Sequence, residues 1–300
     1  MKSMAEVKPR AAVVTRTKNR PLFLERAIKS VHNQTMADFV HVIINDGGDA
    51  GPVDMLVEKY ADLTKGRVKV IHNAESKGME AASNKAIKSV DSIYVAIHDD
   101  DDTWHPQFLQ QTIDCLEKTG AAGVVVRTDK VTEQVSQDQT SIETLKSEPW
   151  MPDLRVINLY RQCIDNQMTP ITFLYRRSVL SEVGYYDESL PVTGDWDFGI
   201  RFLLKHDAEF LDPGYALAFY HHRKATGSSS DSSFGSGQEK HRYYTNLLMN
   251  KYLRQELADG RLGVGYIMSK ERYRQNYLSR LVHKMVPGFL AGHLKRRATK

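Results

Sequence analysis

Residues 93–106 read IYVAIHDDDDTWHP, with the apolar run Ile93–Ile97 followed by His98-Asp99-Asp100-Asp101-Asp102 and then Thr103-Trp104-His105-Pro106. A short apolar run bounded by polar residues has the length of a buried strand. The four carboxylates behind it repel one another. At 4 Å, like charges cost about 1 kcal/mol in water and roughly 4 kcal/mol at an effective dielectric near 20. A solvated turn tolerates such a run, and so does a divalent cation, since Mg²⁺ and Mn²⁺ prefer carboxylate, phosphate and water oxygens. Its place at the end of a strand favours the cation.

The pattern repeats upstream. Ala11–Val14 reads as a buried strand, and Pro21 begins a helical pattern with Leu24, Ala27, Ile28 and Val31 on one face, as proline suits a first helical turn. Val40–Ile44 is a second strand, ended by the turn sequence Asn45-Asp46-Gly47-Gly48. Val53–Tyr60 reads as a helix, Val68–Ile71 as a strand, Met79–Val90 and Phe108–Lys118 as helices, and Gly123–Val126 as a fifth strand. Strands alternating with helices specify an α/β fold with a mostly parallel sheet flanked by helices. Ligands of such sheets bind beyond the carboxyl ends of the strands.

At about residue 127 the pattern breaks. Thr128–Ser147 is polar and reads as a loop or excursion; Ile171–Tyr175 and Ala216–Tyr220 read as strands. Residues 194–206 read as a helix with Trp196, Ile200, Leu203 and Leu204 in one stripe. It opens on Thr193-Gly194-Asp195-Trp196-Asp197, where a first-turn carboxylate is favoured in its ionised form. Asp195 is therefore a candidate general base, and equally it or Thr193 is a plain helix cap. Trp104 reads as an anchor behind the acid run, Trp196 as core, and Trp150 as a platform for an acceptor. His98 and His105 read as loop-bonded.

Taken in order, these segments resemble family 2 glycosyltransferases of the GT-A fold. The resemblance lies in Val13–Pro21, Ala27–Val31 with Gln34-Thr35, Asn45–Asp49, Lys77-Gly78 with Ala82 and Asn84, Asp99–Pro106, and Gly194–Asp197, and it spans about residues 10–225. It implies a Rossmann-like sheet and inverting transfer from a nucleoside-diphosphate sugar, UDP-linked by analogy. The implied roles are Asp46 on the base, the backbone near Thr15 and Arg16 lining the same pocket, Asp99 on the ribose side, and Asn84 among the donor-binding residues. Asp101, with Asp102 beside it and His222 nearby, would hold Mn²⁺ or Mg²⁺; Asp195 would be the general base. The chain departs from the family at Arg16 (commonly Pro), Asn45 (often Asp), Ser83 (often Arg) and Ala86 (often Gly); Arg16 offers a charge in place of the one missing at Ser83.

The 300 residues carry 41 Lys+Arg and 37 Asp+Glu, with 41% hydrophobic and 26% charged residues, which excludes collagenous and wholly disordered classes. Cys115 and Cys163 are too few for a disulfide framework, and Met1–Arg10 lacks the apolar run of a signal peptide. Residues 261–300 hold ten Lys/Arg and one acid, Glu271, so the net positive charge is a property of the tail. Ile267–Val286 can be written as an aromatic, basic amphipathic helix suited to an anionic membrane surface; packing on the body is the alternative. Nucleic acid is not an expected partner, since no recognition motif accompanies the charge.

The sequence thus predicts a GT-A domain over 1–225, a flexible loop over 226–238 and a helical, basic extension over 239–300. It predicts a cytoplasmic enzyme, peripheral on the inner membrane face through that tail. A saccharide or lipid-linked acceptor and a role in bacterial surface polysaccharide synthesis follow from the resemblance. The alternatives are a sugar-nucleotide pyrophosphorylase, though Val14–Arg20 has no glycine for a phosphate loop, and a non-catalytic nucleotide-sugar-binding protein.

Overall fold

Seven residues, AAVVTRT, form the strand at the heart of the molecule; six of them are buried, as an interior parallel strand requires. The computed structural model describes residues 8–223, 237–268, 270, 271 and 274. The chain order is β1 (Ala11–Thr17), α1 (Pro21–His32), β2 (Phe39–Asp46), α2 (Ala50–Lys59), α3 (Ala61–Thr64), β3 (Val68–Asn73), α4 (Met79–Lys88), β4 (Tyr94–Ile97), β5 (Thr103–Trp104) and α5 (Phe108–Thr119). It continues through β6 (Gly123–Val126), β7 (Thr128–Val135), β8 (Ile142–Trp150), α6 (Leu159–Gln162), β9 (Phe173–Arg176), α7 (Leu180–Val183), α8 (Gly194–Leu203), β10 (Ala208–Leu211), β11 (Ala218–Arg223) and α9 (Gln238–Ala258).

The main sheet runs β10-β6-β9-β4-β1-β2-β3. All pairs are parallel except those of β9, which is antiparallel to β4 and to β6. One apolar cluster joins the sheet to α4, α7 and α8 through Ala86, Ile87, Val183, Phe198 and Phe202. A second joins it to α5 and Trp104 through Phe108, Leu109, Ile113 and Leu116. The expected layered α/β architecture is therefore present.

Two readings need correction. The polar stretch 128–147 is no loop but most of a hairpin, β7–β8, in a second sheet of order β5-β11-β7-β8. β8 is largely solvent-facing, so it lacks the apolar signal of a buried strand. The stripe assigned to the helix at 194 is also displaced. Phe198, Ile200 and Phe202 are buried, while Leu204 is 49% exposed.

The chain divides into two compact units, Met1–Gln162 with Asn166–Tyr244 and Cys163–Asp165 with Thr245–Lys300. In the second, Glu256 in α9 accepts hydrogen bonds from the backbone of Gly265 at 2.6 Å and Tyr266 at 3.1 Å. Among the described residues no helix is long and apolar enough to cross a membrane. The expected loop, apart from its last two residues, and most of the basic tail lie outside the described residues.

Candidate functional site

Sheet register brings the acid run to β1. Val14 pairs with Ile97 in parallel, so the residues two further along each strand, Arg16 and Asp99, come side by side. Arg16 Nε donates to Asp99 Oδ1 at 2.9 Å, and Nη2 donates to the same oxygen. Nη1 donates to Ser83 Oγ at 3.3 Å. The charge on Arg16 thus lies against Ser83.

The four carboxylates alternate between two environments. Asp99 and Asp101 are partly exposed; Asp100 and Asp102 are buried. Arg20 bridges Asp100 Oδ1 at 3.0 Å and Asp101 Oδ2 at 2.7 Å. Arg223 also donates to Asp101 Oδ2, and Arg26 to the Asp101 carbonyl. Burial works against the Asp101 charge, but Arg20 and Arg223 outweigh it and hold the carboxyl far below its usual range. Burial pushes Asp100 up to about 6 and raises Asp102 well above its ordinary value. The repulsion that the sequence raised is relieved by the arginines, while burial shifts Asp100 and Asp102 toward their neutral forms.

Glu133 anchors this network from β7. Its carboxylate, 0% exposed, accepts from Arg26 at 2.8 Å, from His221 Nδ1 at 2.7 Å and from Arg223 Nη1. Burial opposes its charge, yet these donors bring it down to about 2.

Asp46, at the end of β2, clamps the β3–α4 turn. Oδ1 accepts from Asn73 Nδ2 at 2.8 Å and Lys77 N at 2.9 Å, and Oδ2 from Ser76 Oγ at 2.8 Å and Gly78 N at 3.0 Å. Burial opposes the charge, but these donors hold the carboxyl below its ordinary range. Gly47 permits the approach: its φ is +75°, and a Cβ there would lie 2.3 Å from Ser76 N. Asn45 is fully buried and builds the neighbouring turn between β2 and α2, donating to the carbonyls of Gly48 and Asp49 at 2.9 and 3.1 Å.

Asp195 occupies the first turn of α8. Asn166 Nδ2 donates to its Oδ2 at 2.7 Å, and Asn166 is itself oriented, accepting from Gln162 Nε2 at 2.9 Å and Met168 N at 3.1 Å. Burial raises the Asp195 carboxyl above its ordinary value, against the Trp196 amide and Arg16. A raised carboxylate pKa suits a general base. Thr193 does not cap the helix: it makes no side-chain cap bond and sits at φ +67°. Left-handed backbone at a β-branched residue is strained and recurs at functional sites.

The other sequence candidates divide. Thr15 turns its hydroxyl inward to His41 Nε2 at 2.8 Å and is 0% exposed, backbone included. Asn84 stands apart from the cluster. It is 2% exposed and joins α4 to Tyr186 and Glu188 at 2.8 Å each. Asp102 is buried, is pushed toward its neutral acid, and accepts from His221 N at 2.8 Å, so it joins β11 to the loop. His222 lies within electrostatic reach of Asp101, with its imidazole lowered to about 4 by burial, Lys130 and Arg223. Trp104 anchors the loop as expected, stacked on Phe108 with its Nε1 donating to Ile171 O at 2.7 Å. Trp196 is only partly buried and donates to the Gln162 carbonyl. Trp150 packs edge-on against Tyr220.

A divalent cation fits Asp101 in part. Both arginines pair with Asp101 Oδ2. Mg²⁺ commonly takes one or two carboxylates, with water and substrate phosphate completing its shell. Among the described residues no three His, Cys, Asp or Glu side chains are grouped to hold a metal, so a cation here would depend on substrate oxygens.

The profile of Glycosyl transferase family 2 matches residues 12–184. An uncharacterized glycosyltransferase of Methanocaldococcus jannaschii is 25% identical over 195 residues, covering 65% of this chain and 64% of its own length. The putative colanic acid biosynthesis glycosyl transferase WcaA of Escherichia coli is 24% identical over 198 residues, covering 66% of this chain and 67% of its own. The chain thus spans about two thirds of each of these relatives. Among solved structures, S. aureus TarS 1-349 superposes with a TM-score of 0.64 at 17% identity, covering 91% of this chain and 73% of that one. Its complex with UDP-GlcNAc superposes at 0.59 with 18% identity, over 80% of this chain and 67% of that one. The fold is that of the GT-A transferases.

Proposed function

The chain belongs to glycosyl transferase family 2, and from that premise we propose that it transfers a sugar, with inversion, from a nucleoside diphosphate to a hydroxyl of a saccharide or lipid-linked acceptor. The observation that carries this reading is the convergence of the Arg16–Asp99 pair, the Asp101–arginine cluster and the raised carboxylate Asp195 on one compact unit. The bound UDP-GlcNAc of the TarS complex supports a uridine-linked donor, and the name of the E. coli relative supports surface polysaccharide assembly as the setting.

In this reading Asp195 takes the proton of the acceptor hydroxyl as its oxygen attacks the anomeric carbon. The bond to the diphosphate breaks on the opposite face, so one carboxylate suffices and no sugar–enzyme bond forms. Asn166 orients the base. Arg16, Arg20 and Arg223 supply positive charge where the diphosphate leaves, and preorganised charge of this kind is worth far more in a water-poor site than in solution. Mn²⁺ or Mg²⁺ on Asp101, with His222 near it, would add Lewis-acid neutralisation of the departing diphosphate. Asp46 acts on the nucleotide through the turn it clamps; its oxygens already serve four internal donor groups.

Family membership sets aside the pyrophosphorylase, and the raised carboxylate Asp195 favours a transferase over a binding protein. The test is a panel of nucleoside-diphosphate sugars, each with Mn²⁺, scored by thermal shift and then by sugar release. One donor class should raise Tm and be slowly hydrolysed. A shift without any turnover would replace the transferase with a binding protein.

A further inference from the structure

Glu80 is a carboxyl that neither the sequence pattern nor the proposed chemistry uses. It stands in the first turn of α4 and is 4% exposed. Its Oε2 is buried without a hydrogen-bond partner. Arg16 Nη1 lies 3.8 Å from that oxygen, but the hydrogen bonds of Arg16 go to Asp99 and Ser83. On its other side is Gly194, the first residue of α8. A Cβ on Gly194 would lie 2.5 Å from Glu80 Cδ and Oε1. The glycine immediately before Asp195 therefore makes room for this carboxyl.

We propose that Glu80 is a positioning residue of the transfer site: seated between Arg16 and Gly194, it fixes the start of α8 and with it the carboxyl of Asp195. This rests on the reading of Asp195 as the base. The titratable and charged groups facing Glu80 are Arg16 from β1, Asp99 behind β4, Asp195 and Asp197 from α8, and Tyr186 behind α7. Burial raises Glu80 to about 8; Arg16 opposes this, and Asp195, Asp99 and Asp197 add to it. Near neutral pH Glu80 therefore keeps its proton. It adds no second anion beside Asp195, and Arg16 stays on Asp99. Once ionised, Glu80 competes with Asp99 for Arg16 and repels both Asp195 and a diphosphate.

The test compares wild type with Glu80→Gln and Glu80→Ala in three measurements: kcat against pH from 6 to 9.5, Tm against pH, and UDP binding by calorimetry at pH 7. Glu80→Gln keeps the size of the side chain and has no proton to lose. It should retain wild-type kcat within about twofold at pH 7 and abolish an alkaline decline that wild type shows near pH 8. Its Tm should gain on wild type as pH rises from about 4.5 to 8 and level off above that. This follows because a carboxyl with a raised folded pKa loses its stabilising contribution over that window. Glu80→Ala empties the seat and should cut kcat at least tenfold while UDP affinity holds. Superimposable kcat and Tm profiles for wild type and Glu80→Gln, or an undiminished kcat in Glu80→Ala, would overturn the proposal. Failure of wild type to bind UDP would count against the functional reading instead, and the Tm comparison would still report on the seat of Glu80.

Discussion

Replacing Glu133 by Gln removes the one carboxylate that holds Arg26, His221 and Arg223 together beneath the acid run. The folded carboxyl sits at about 2 against an ordinary 4.5. At roughly 1.4 kcal/mol per pH unit, that difference amounts to about 3 kcal/mol of stability at neutral pH. Breaking a buried ion pair from one side costs about 3–5 kcal/mol by mutation, so two independent routes give one magnitude. The sign follows from the lowered folded value. The stabilisation is complete above about pH 4.5 and is lost as the pH falls through about 2. Urea denaturation of wild type and Glu133→Gln at pH 7 should differ by about 3 kcal/mol, and the gap should shrink to about half by pH 3. A gap under 1 kcal/mol at pH 7, or one that ignores pH, would refute the reasoning and reduce the network to packing.

Asp46→Asn places an amide against donors from Asn73, Ser76, Lys77 and Gly78; UDP affinity measured by calorimetry should fall at least tenfold if, as proposed, the turn this loosens faces the nucleotide. Asn166→Ala leaves Asp195 without its orienting donor, and the acid limb of the kcat–pH profile should move to higher pH, since a hydrogen bond to the ionised form is lost. Asp101→Ala should abolish the dependence of UDP affinity on Mn²⁺, while UDP binding in chelator should change little.

The middle of the main sheet was legible because β1, β2 and β4 are buried and therefore written as apolar runs. The turn after β2 and the acid run after β4 follow directly, and with them Asp46, Asp99 and Asp101. The β7–β8 hairpin was not legible. It exposes most of β8, and its one deeply buried acid, Glu133, looks like any other residue of a polar stretch. The arginines were equally hidden. Arg20, Arg26 and Arg223 meet partners 81, 107 and 122 residues away along the chain, and that pairing is set by strand order rather than by local pattern. Glu80 has the same cause, since its seat is made by a glycine on α8. The alternation within the acid run was hidden too, since consecutive residues there switch between partly exposed and buried environments and put Asp102 among the buried ones.

The most direct test of the account is Asp195→Asn, with sugar transfer and nucleotide affinity measured on the same preparation. A general base contributes about 10²–10⁴-fold to rate. The account predicts a loss of turnover of that size with UDP affinity unchanged. Retention of more than a tenth of wild-type turnover at unchanged affinity would contradict the assignment of Asp195 as the base.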